Sequence, residues 1–264
     1  MKITSFEIYA DIPGIDVKAA VAADLHSHDG TEVLRAIESI SPDIILSPGD
    51  MLERLDGGDD ERNAKGLEFL NFASKLAPYY YSFGNHELCG AHSETKQIPK
   101  NGQRISRENM DKIKGSGVHL LWDSYEEYIS FDISDFNVGQ NKIYIGGLVS
   151  GRCREDNMPD LNFAKKFSLL KGYKILLCHH PEYYPKYLKD LDIDLIISGH
   201  AHGGQWRIFG RGVYAPDQGL FPKYTSGLYD NRLLVSRGTC NNAGLIPRLF
   251  NPCEVLSVHI CSAK

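Results

Sequence analysis

Five short apolar runs, each stopping abruptly at Asp, Asn or His, constrain this chain more than any other feature of it. Residues 17–25 run into Asp24-Leu25-His26, and Ile44-Ile45-Leu46-Ser47 runs into Pro48-Gly49-Asp50. Residues 79–83 stop at Gly84-Asn85-His86-Glu87, residues 174–178 at His179-His180-Pro181, and Leu195-Ile196-Ile197 at Gly199-His200-Ala201-His202-Gly203-Gly204-Gln205. Apolar runs this short, closed by turn residues, read as buried strands. Between them lie stretches with helical spacing. Thr31, as an N-cap, opens one whose Leu34, Ile37 and Ile40 share a face, and residues 62–76 carry Leu67, Leu70, Ala73 and Leu76. Residues 107–114, 160–170 and 185–191 also read as helical. Strands alternating with helices predict an α/β architecture, in which strand ends on one edge of the sheet converge on a shared crevice.

The remaining stretches are less patterned. Residues 3–10 and 17–25 read as strands joined across Pro13-Gly14, residues 118–122, 128–133 and 142–149 as strands of a second sheet, and Glu254 begins a final strand. The acidic run 56–61 reads as a solvated loop without chemistry, and residues 88–104 as polar and irregular. Residues 205–237 are rich in Gly, Pro and aromatics (Trp206, Phe209, Tyr214, Phe221, Tyr224) and read as a long ordered loop. That loop is expected to wall a substrate pocket or to cover the sheet edge.

The side chains at the strand ends are carboxylate, amide and imidazole, with no thiolate among them. Any one of them alone could be a cap, a turn residue or a hydrogen-bonded core group. Delivered together to one crevice, they form a ligand set for two divalent first-row ions rather than a structural zinc. His200 and His202, two apart on an extended segment, point to the same side. A net charge of −5 without a dense Lys/Arg stretch argues against nucleic acid as partner. The N-terminus lacks the pattern of a secretory signal, and no stretch is long and apolar enough for a membrane span. The six cysteines are dispersed with no Cys-x-x-Cys pair, which reads as reduced thiols and a cytoplasmic protein. A chain of 264 residues is expected to form a single domain over 1–264.

The ordered series Asp24-x-His26, Gly49-Asp50, Gly84-Asn85-His86-Glu87, His179 and Gly199-His200-x-His202 resembles the calcineurin-like metallophosphoesterases. The C-terminal part, with Gly203-Gly204-Gln205, Pro222-Lys223-Tyr224-Thr225-Ser226-Gly227-Leu228-Tyr229, Val235-Ser236-Arg237-Gly238 and Pro247-Arg248, resembles the stand-alone bacterial branch typified by YkuE and YaeI. The resemblance implies a four-layer α/β/β/α sandwich. It also implies two divalent transition-metal ions, manganese, iron or zinc, with Asp24, His26 and His202 on the first, Asn85, His179 and His200 on the second, and Asp50 bridging them. His179 rather than His180 is the implied ligand, because it follows its strand directly. The implied reaction is phosphoester hydrolysis by a metal-bridging hydroxide, with His86 protonating the leaving alkoxide. A phosphodiesterase is favoured over a monoesterase, acting on a small molecule or lipid headgroup. A non-catalytic interaction scaffold and a nuclease of the same superfamily are the alternatives; the complete ligand set opposes the first, and the absence of a basic or aromatic-rich strand-binding segment opposes the second. The chain departs from the branch at Ser27-His28-Asp29-Gly30, where His28 is expected to cap the next helix rather than touch substrate, and its first residues read as lacking the leader expected of the branch's exported members.

Overall fold

A computed structural model describes residues 1–53, 55, 60–89, 106–128, 142–154, 156–241 and 247–262. The chain runs β1 (Lys2–Ala10), β2 (Asp16–Val21), α1 (Thr31–Ile40), β3 (Ile44–Ser47), α2 (Asp60–Ala73), β4 (Tyr79–Tyr81), α3 (His86–Cys89), α4 (Arg107–Gly115) and β5 (His119–Leu120). It continues through β6 (Ser124–Tyr128), β7 (Ile143–Leu148), α5 (Leu161–Ser168), β8 (Tyr173–Cys178) and β9 (Leu195–Ser198). The short strands β10 (Arg207–Ile208), β11 (Arg211–Gly212), β12 (Tyr214–Ala215) and β13 (Gly219–Leu220) precede β14 (Gly227–Tyr229), β15 (Leu233–Val235) and β16 (Glu254–Ser262).

Period-two alternation along the strands builds the layers. One six-stranded sheet has the order β1-β16-β2-β3-β4-β5 and the other β14-β15-β9-β8-β7-β6. Ala19, Val21, Ile44 and Leu46 of the first sheet meet Ile175, Leu177, Leu195 and Ile197 of the second in one buried cluster between the sheets. Their strand neighbours point the other way: Ala20 and Ile45 pack under Val33, Ile37, Phe69, Leu70 and Ile113 of α1, α2 and α4. Leu176 and Ile196 likewise pack under Phe163 and Phe167 of α5. The result is helix, sheet, sheet, helix, the expected α/β sandwich. β2, β3 and β4 run parallel, as do β8 and β9, so their C-terminal ends leave each sheet at the same edge.

β1 and β2 are the two strands expected on either side of Pro13-Gly14, and β16 lies between them, parallel to β1 and antiparallel to β2. Several local expectations are corrected. The run 17–25 stops being a strand at Val21, and its buried remainder bends into the site. Thr31 is the first helical residue rather than the cap: Gly30 is the N-cap, and Asp29 Oδ1 accepts from Thr31 N at 2.9 Å. β5 belongs to the first sheet, beside β4, because the chain leaving α4 returns on that side. Residues 185–191 do not form the expected helix; a single wide turn, Tyr184–Leu188, occupies the stretch around Pro185. Residues 205–237 are four short antiparallel strands followed by β14 and β15, which extend the second sheet, rather than a loop. Most of the acidic run 56–61, most of the irregular stretch 88–104 and residues 129–133 lie outside the described residues.

Candidate metal centre

Backbone hydrogen bonds lace the strand ends together. Beyond β2 the chain runs beside the loop after β3, with Asp24 N donating to Gly49 O (3.1 Å), His26 N to Asp50 O (2.9 Å) and Ser27 N to Met51 O (3.0 Å). In the second sheet Gly199 N donates to His179 O at 3.1 Å, and the sheets are joined where His200 N donates to Asp24 Oδ1 at 3.0 Å. Asp24, His26, Asp50, His200 and His202 all adopt left-handed backbone, with φ of 57°, 50°, 55°, 65° and 44°. Residues other than glycine rarely do so, at about 1–3 kcal/mol each, and such strain gathers where side chains are being aimed. The glycine before Asn85 has a different reason. A Cβ on Gly84 would lie 2.2 Å from Asp50 Oδ1 and 2.8 Å from His179 Cγ, so any side chain there would occupy the crevice.

Two groups of ligand-type side chains face each other in that crevice. Asp24, His26 and His202 form one, Asp50, His179 and His200 the other, and within each group the ligand atoms lie within 4.8 Å of one another. His202 Nε2 is 3.6 Å from Asp24 Oδ1 and 3.3 Å from His26 Nε2. Asp50 Oδ2 lies between the groups, 2.9 Å from His179 Nε2 and 4.0 Å from His26 Nε2. Among the described residues, buried Asp24 Oδ2, Asn85 Oδ1 and both ring nitrogens of His179 have no hydrogen-bond partner; His179 Nε2 is close to Asp50 but not in bonding geometry. Leaving a buried polar atom unpaired costs about 1–3 kcal/mol. Asp24 Oδ2, Asn85 Oδ1 and one ring nitrogen of neutral His179 each offer a lone pair without a partner, a donor set that fits divalent cations.

Protonation separates the imidazoles into two kinds. Burial lowers the pKa of His179, His200 and His202, keeping them neutral with a lone pair to share. Burial opposes protonation of His86 too, but the charges of Asp50 and Glu53 raise it to about 9. Asp24 is pushed up to about 8 by burial and by the neighbouring Asp50. Burial disfavours ionised Asp50 as well, yet His179, His86 and His26 around it hold it well below the usual carboxylate range.

Outer carboxylates aim these rings. Glu53 takes His26 Nδ1 at 2.7 Å and His86 Nδ1 at 2.9 Å, which leaves each Nε2 facing the crevice. Burial opposes its charge, but those two imidazoles hold it down to about 2. Glu87 accepts from Asp50 N, Met51 N, Leu52 N and Gly84 N at 2.6–3.2 Å and so staples the loop after β3 to the loop after β4. Asp217, in the turn from β12 to β13, holds His200 Nε2 at 2.9 Å and is itself paired with Arg152. A proton on Nε2 directed at that carboxylate leaves Nδ1 of His200 with the free lone pair. His180 differs from its neighbour: Ser150 Oγ lies 2.7 Å from its Nε2 and Glu182 Oε1 3.0 Å from its Nδ1, so both nitrogens are engaged.

All eight residues singled out in the sequence, Asp24, His26, Asp50, Asn85, His86, His179, His200 and His202, are thus brought to one crevice. His28 is exposed, and Tyr224 is buried in the outer layer against Tyr184 and Tyr229. Glu53 and Asp217 were missed. Glu53 follows Asp50 by three residues in an irregular loop, and Asp217 sits in Ala215-Pro216-Asp217-Gln218-Gly219, where the only legible signal is that of a turn.

The chain is 27% identical over 262 residues to a protein of Aquifex aeolicus (strain VF5) named a metallophosphoesterase, covering 94% of this chain and 86% of that one. It is 25% identical to the UDP-2,3-diacylglucosamine pyrophosphatase LpxG of Chlamydia muridarum (strain MoPn / Nigg), covering 88% and 80%. It is 50% identical over 195 residues to YpbG of Bacillus subtilis (strain 168), covering 69% of this chain and only 60% of that protein's length. The sequence model of the calcineurin-like phosphoesterases matches residues 17–204, the span from β2 to the turn after β9 that carries every residue of the crevice named from the sequence, and the chain belongs to that family.

Proposed function

We propose that residues 1–264 form one catalytic unit, a dimetal phosphohydrolase of phosphodiesterase type. Asp24, His26 and His202 would hold one divalent ion, Asn85, His179 and His200 the other, and Asp50 would serve both. The observation that carries this reading is the pair of ligand-type groups, Asp24 with His26 and His202 and Asp50 with His179 and His200, together with buried, unpartnered atoms on Asp24, Asn85 and His179. Two divalent ions of manganese, iron or zinc there supply charge for a phosphoryl group and a lowered pKa for water. The chain's own contribution is acid catalysis and aim. Glu53 holds His86 Nδ1, its charge favours a proton on that ring, and Nε2, 4.0 Å from Asp50 Oδ2, is left to donate toward the leaving oxygen.

The substrate class is a phosphodiester of a small molecule or lipid headgroup; the similarity to LpxG, named a pyrophosphatase of a lipid-bearing nucleotide sugar, supports hydrolysis at phosphorus. The runs 203–205 and 222–229 support the stand-alone bacterial branch typified by YkuE and YaeI. Free Cys178, Cys240, Cys253 and Cys261 support a reduced, cytoplasmic setting, and no helix among the described residues is long and apolar enough to cross a membrane. His86→Asn tests the mechanism. The variant keeps both metals by elemental analysis and loses about 10²–10⁴ in turnover on an alkyl ester, with much less loss on a nitrophenyl ester whose leaving group needs little protonation. Equal losses on both esters in metal-replete protein would remove His86 from the role of acid.

A further inference from the structure

One face of the protein carries large apolar side chains that nothing in the described chain covers. Trp206, Ile208 and Phe209 lie on β10 and its turn, Leu220 and Phe221 at the end of β13, and Leu249 and Phe250 on the segment leading to β16; all are exposed. They adjoin one another. Ile208 and Phe209 share one groove with Phe221 and a second with Phe250, and Trp206 bridges in parallel to Leu249. Contiguous exposed apolar surface of this kind marks an interaction site.

Three of these residues are placed at a conformational cost as well. Phe209, Phe221 and Phe250 have φ of 49°, 51° and 53°, left-handed turn positions at which Gly or Asn would sit without strain. Each nevertheless carries a phenyl ring standing in solvent, Phe209 wholly, Phe250 at 88% and Phe221 at 74% exposure. Charge identifies what meets them. Across 205–225 and 247–253 the one acidic residue is Asp217, whose carboxylate is taken up by His200 and Arg152. Arg211 and Lys223 are exposed on the same stretch, in a chain whose net charge is −5.

We infer that this face docks on an anionic lipid bilayer, the aromatic tips entering the boundary between headgroups and acyl chains while Arg211 and Lys223 meet lipid phosphates. Rings projecting from three separate turns suit a deformable interface with a polar rim and an apolar interior. The same segments hold the metal centre: β10 follows His202 by five residues, and Asn251, next to Phe250, donates from Nδ2 to His202 O (2.7 Å) and Gln205 O (3.1 Å). Docking therefore brings the crevice beside the membrane. It does so whatever ester the site cleaves.

The test is co-sedimentation of the full chain with phosphatidylcholine vesicles, with and without phosphatidylserine, alongside size-exclusion chromatography with light scattering. Binding is expected only with phosphatidylserine and should weaken with added salt. Phe209→Ser combined with Phe250→Ser should lower the partition coefficient at least about tenfold while leaving the melting temperature unchanged, since neither ring is packed. Arg211→Glu with Lys223→Glu should abolish the dependence on phosphatidylserine. Absence of binding, equal binding to both vesicle types, or full binding by the phenylalanine variant would overturn the inference. So would a dimer in solution that fails to bind vesicles and that Phe209→Ser dissociates.

Discussion

Replacing Glu53 with Gln isolates a single acceptor that serves two rings. Glu53 Oε1 lies 2.7 Å from His26 Nδ1 and 3.0 Å from His86 Nδ1, and Oε2 lies 2.9 Å from His86 Nδ1. Glutamine puts one neutral carbonyl oxygen in place of the two charged ones, so both rings lose a charged acceptor, and its amide N–H would face one imidazole N–H. A hydrogen bond to a charged group is worth about 1.5–3 kcal/mol net, roughly ten- to hundredfold. Loss at His26 turns its ring and weakens the ion that Asp24, His26 and His202 are proposed to hold; loss at His86 frees the proposed acid and removes part of what keeps it protonated. Metal titration by calorimetry reads the first, and the ratio of alkyl-ester to nitrophenyl-ester turnover at saturating metal reads the second. At least one of the two should fall by about tenfold or more. If metal affinity and rate ratio both stay within about twofold of wild type, Glu53 orients neither ring and the shared-acceptor argument fails.

The other expectations are more compact. Gly84→Ala should fold but lose metal, because its Cβ would lie 2.2 Å from Asp50 Oδ1; wild-type metal content would refute the steric reading. Asp217→Asn should weaken the second ion by about 10–100-fold while leaving the first nearly unchanged, as seen in a two-site manganese titration. Metal-free protein should lose stability as pH rises from about 6.5 to 9, because His86, raised to about 9, and Asp24, raised to about 8, both bind protons more tightly folded than unfolded. Metal-loaded protein should gain relative to it over the same window, since ligands bind ions deprotonated, and melting temperatures of the two forms that stay parallel in pH would contradict this.

How far the sequence alone reaches is set by periodicity. β3, β8 and β9 are legible because strands buried on both faces are continuous apolar runs, and their abrupt ends expose Asp50, His179 and His200 as the residues leaving the sheet. Pairing partners are a different matter. Nothing in residues 3–10 reveals that β16, some 250 residues on, separates β1 from β2, because that register depends on contacts distant in sequence. The strands of 205–237 are two or three residues long, too short for alternation to show, so their Gly and Pro content reads as loop. Glu53 and Asp217 belong to no repeating pattern, and their roles exist only in the distance to an imidazole.

The position of β16 has a consequence for how the protein comes into being. β16 pairs along its whole length with β1 and, on its other side, with β2, the strand that leads into Asp24 and His26. During synthesis these two partners leave the ribosome more than 200 residues before β16, and the slot between them stays open until residue 262 has followed. Until then β2 presents an unpaired edge and the crevice lacks firm support on that side. Strand insertion so late in sequence raises contact order and slows the final step of folding. A nascent or C-terminally clipped chain therefore carries every proposed ligand of the crevice without the strand that steadies the first two, and should bind metal weakly and expose an aggregation-prone edge.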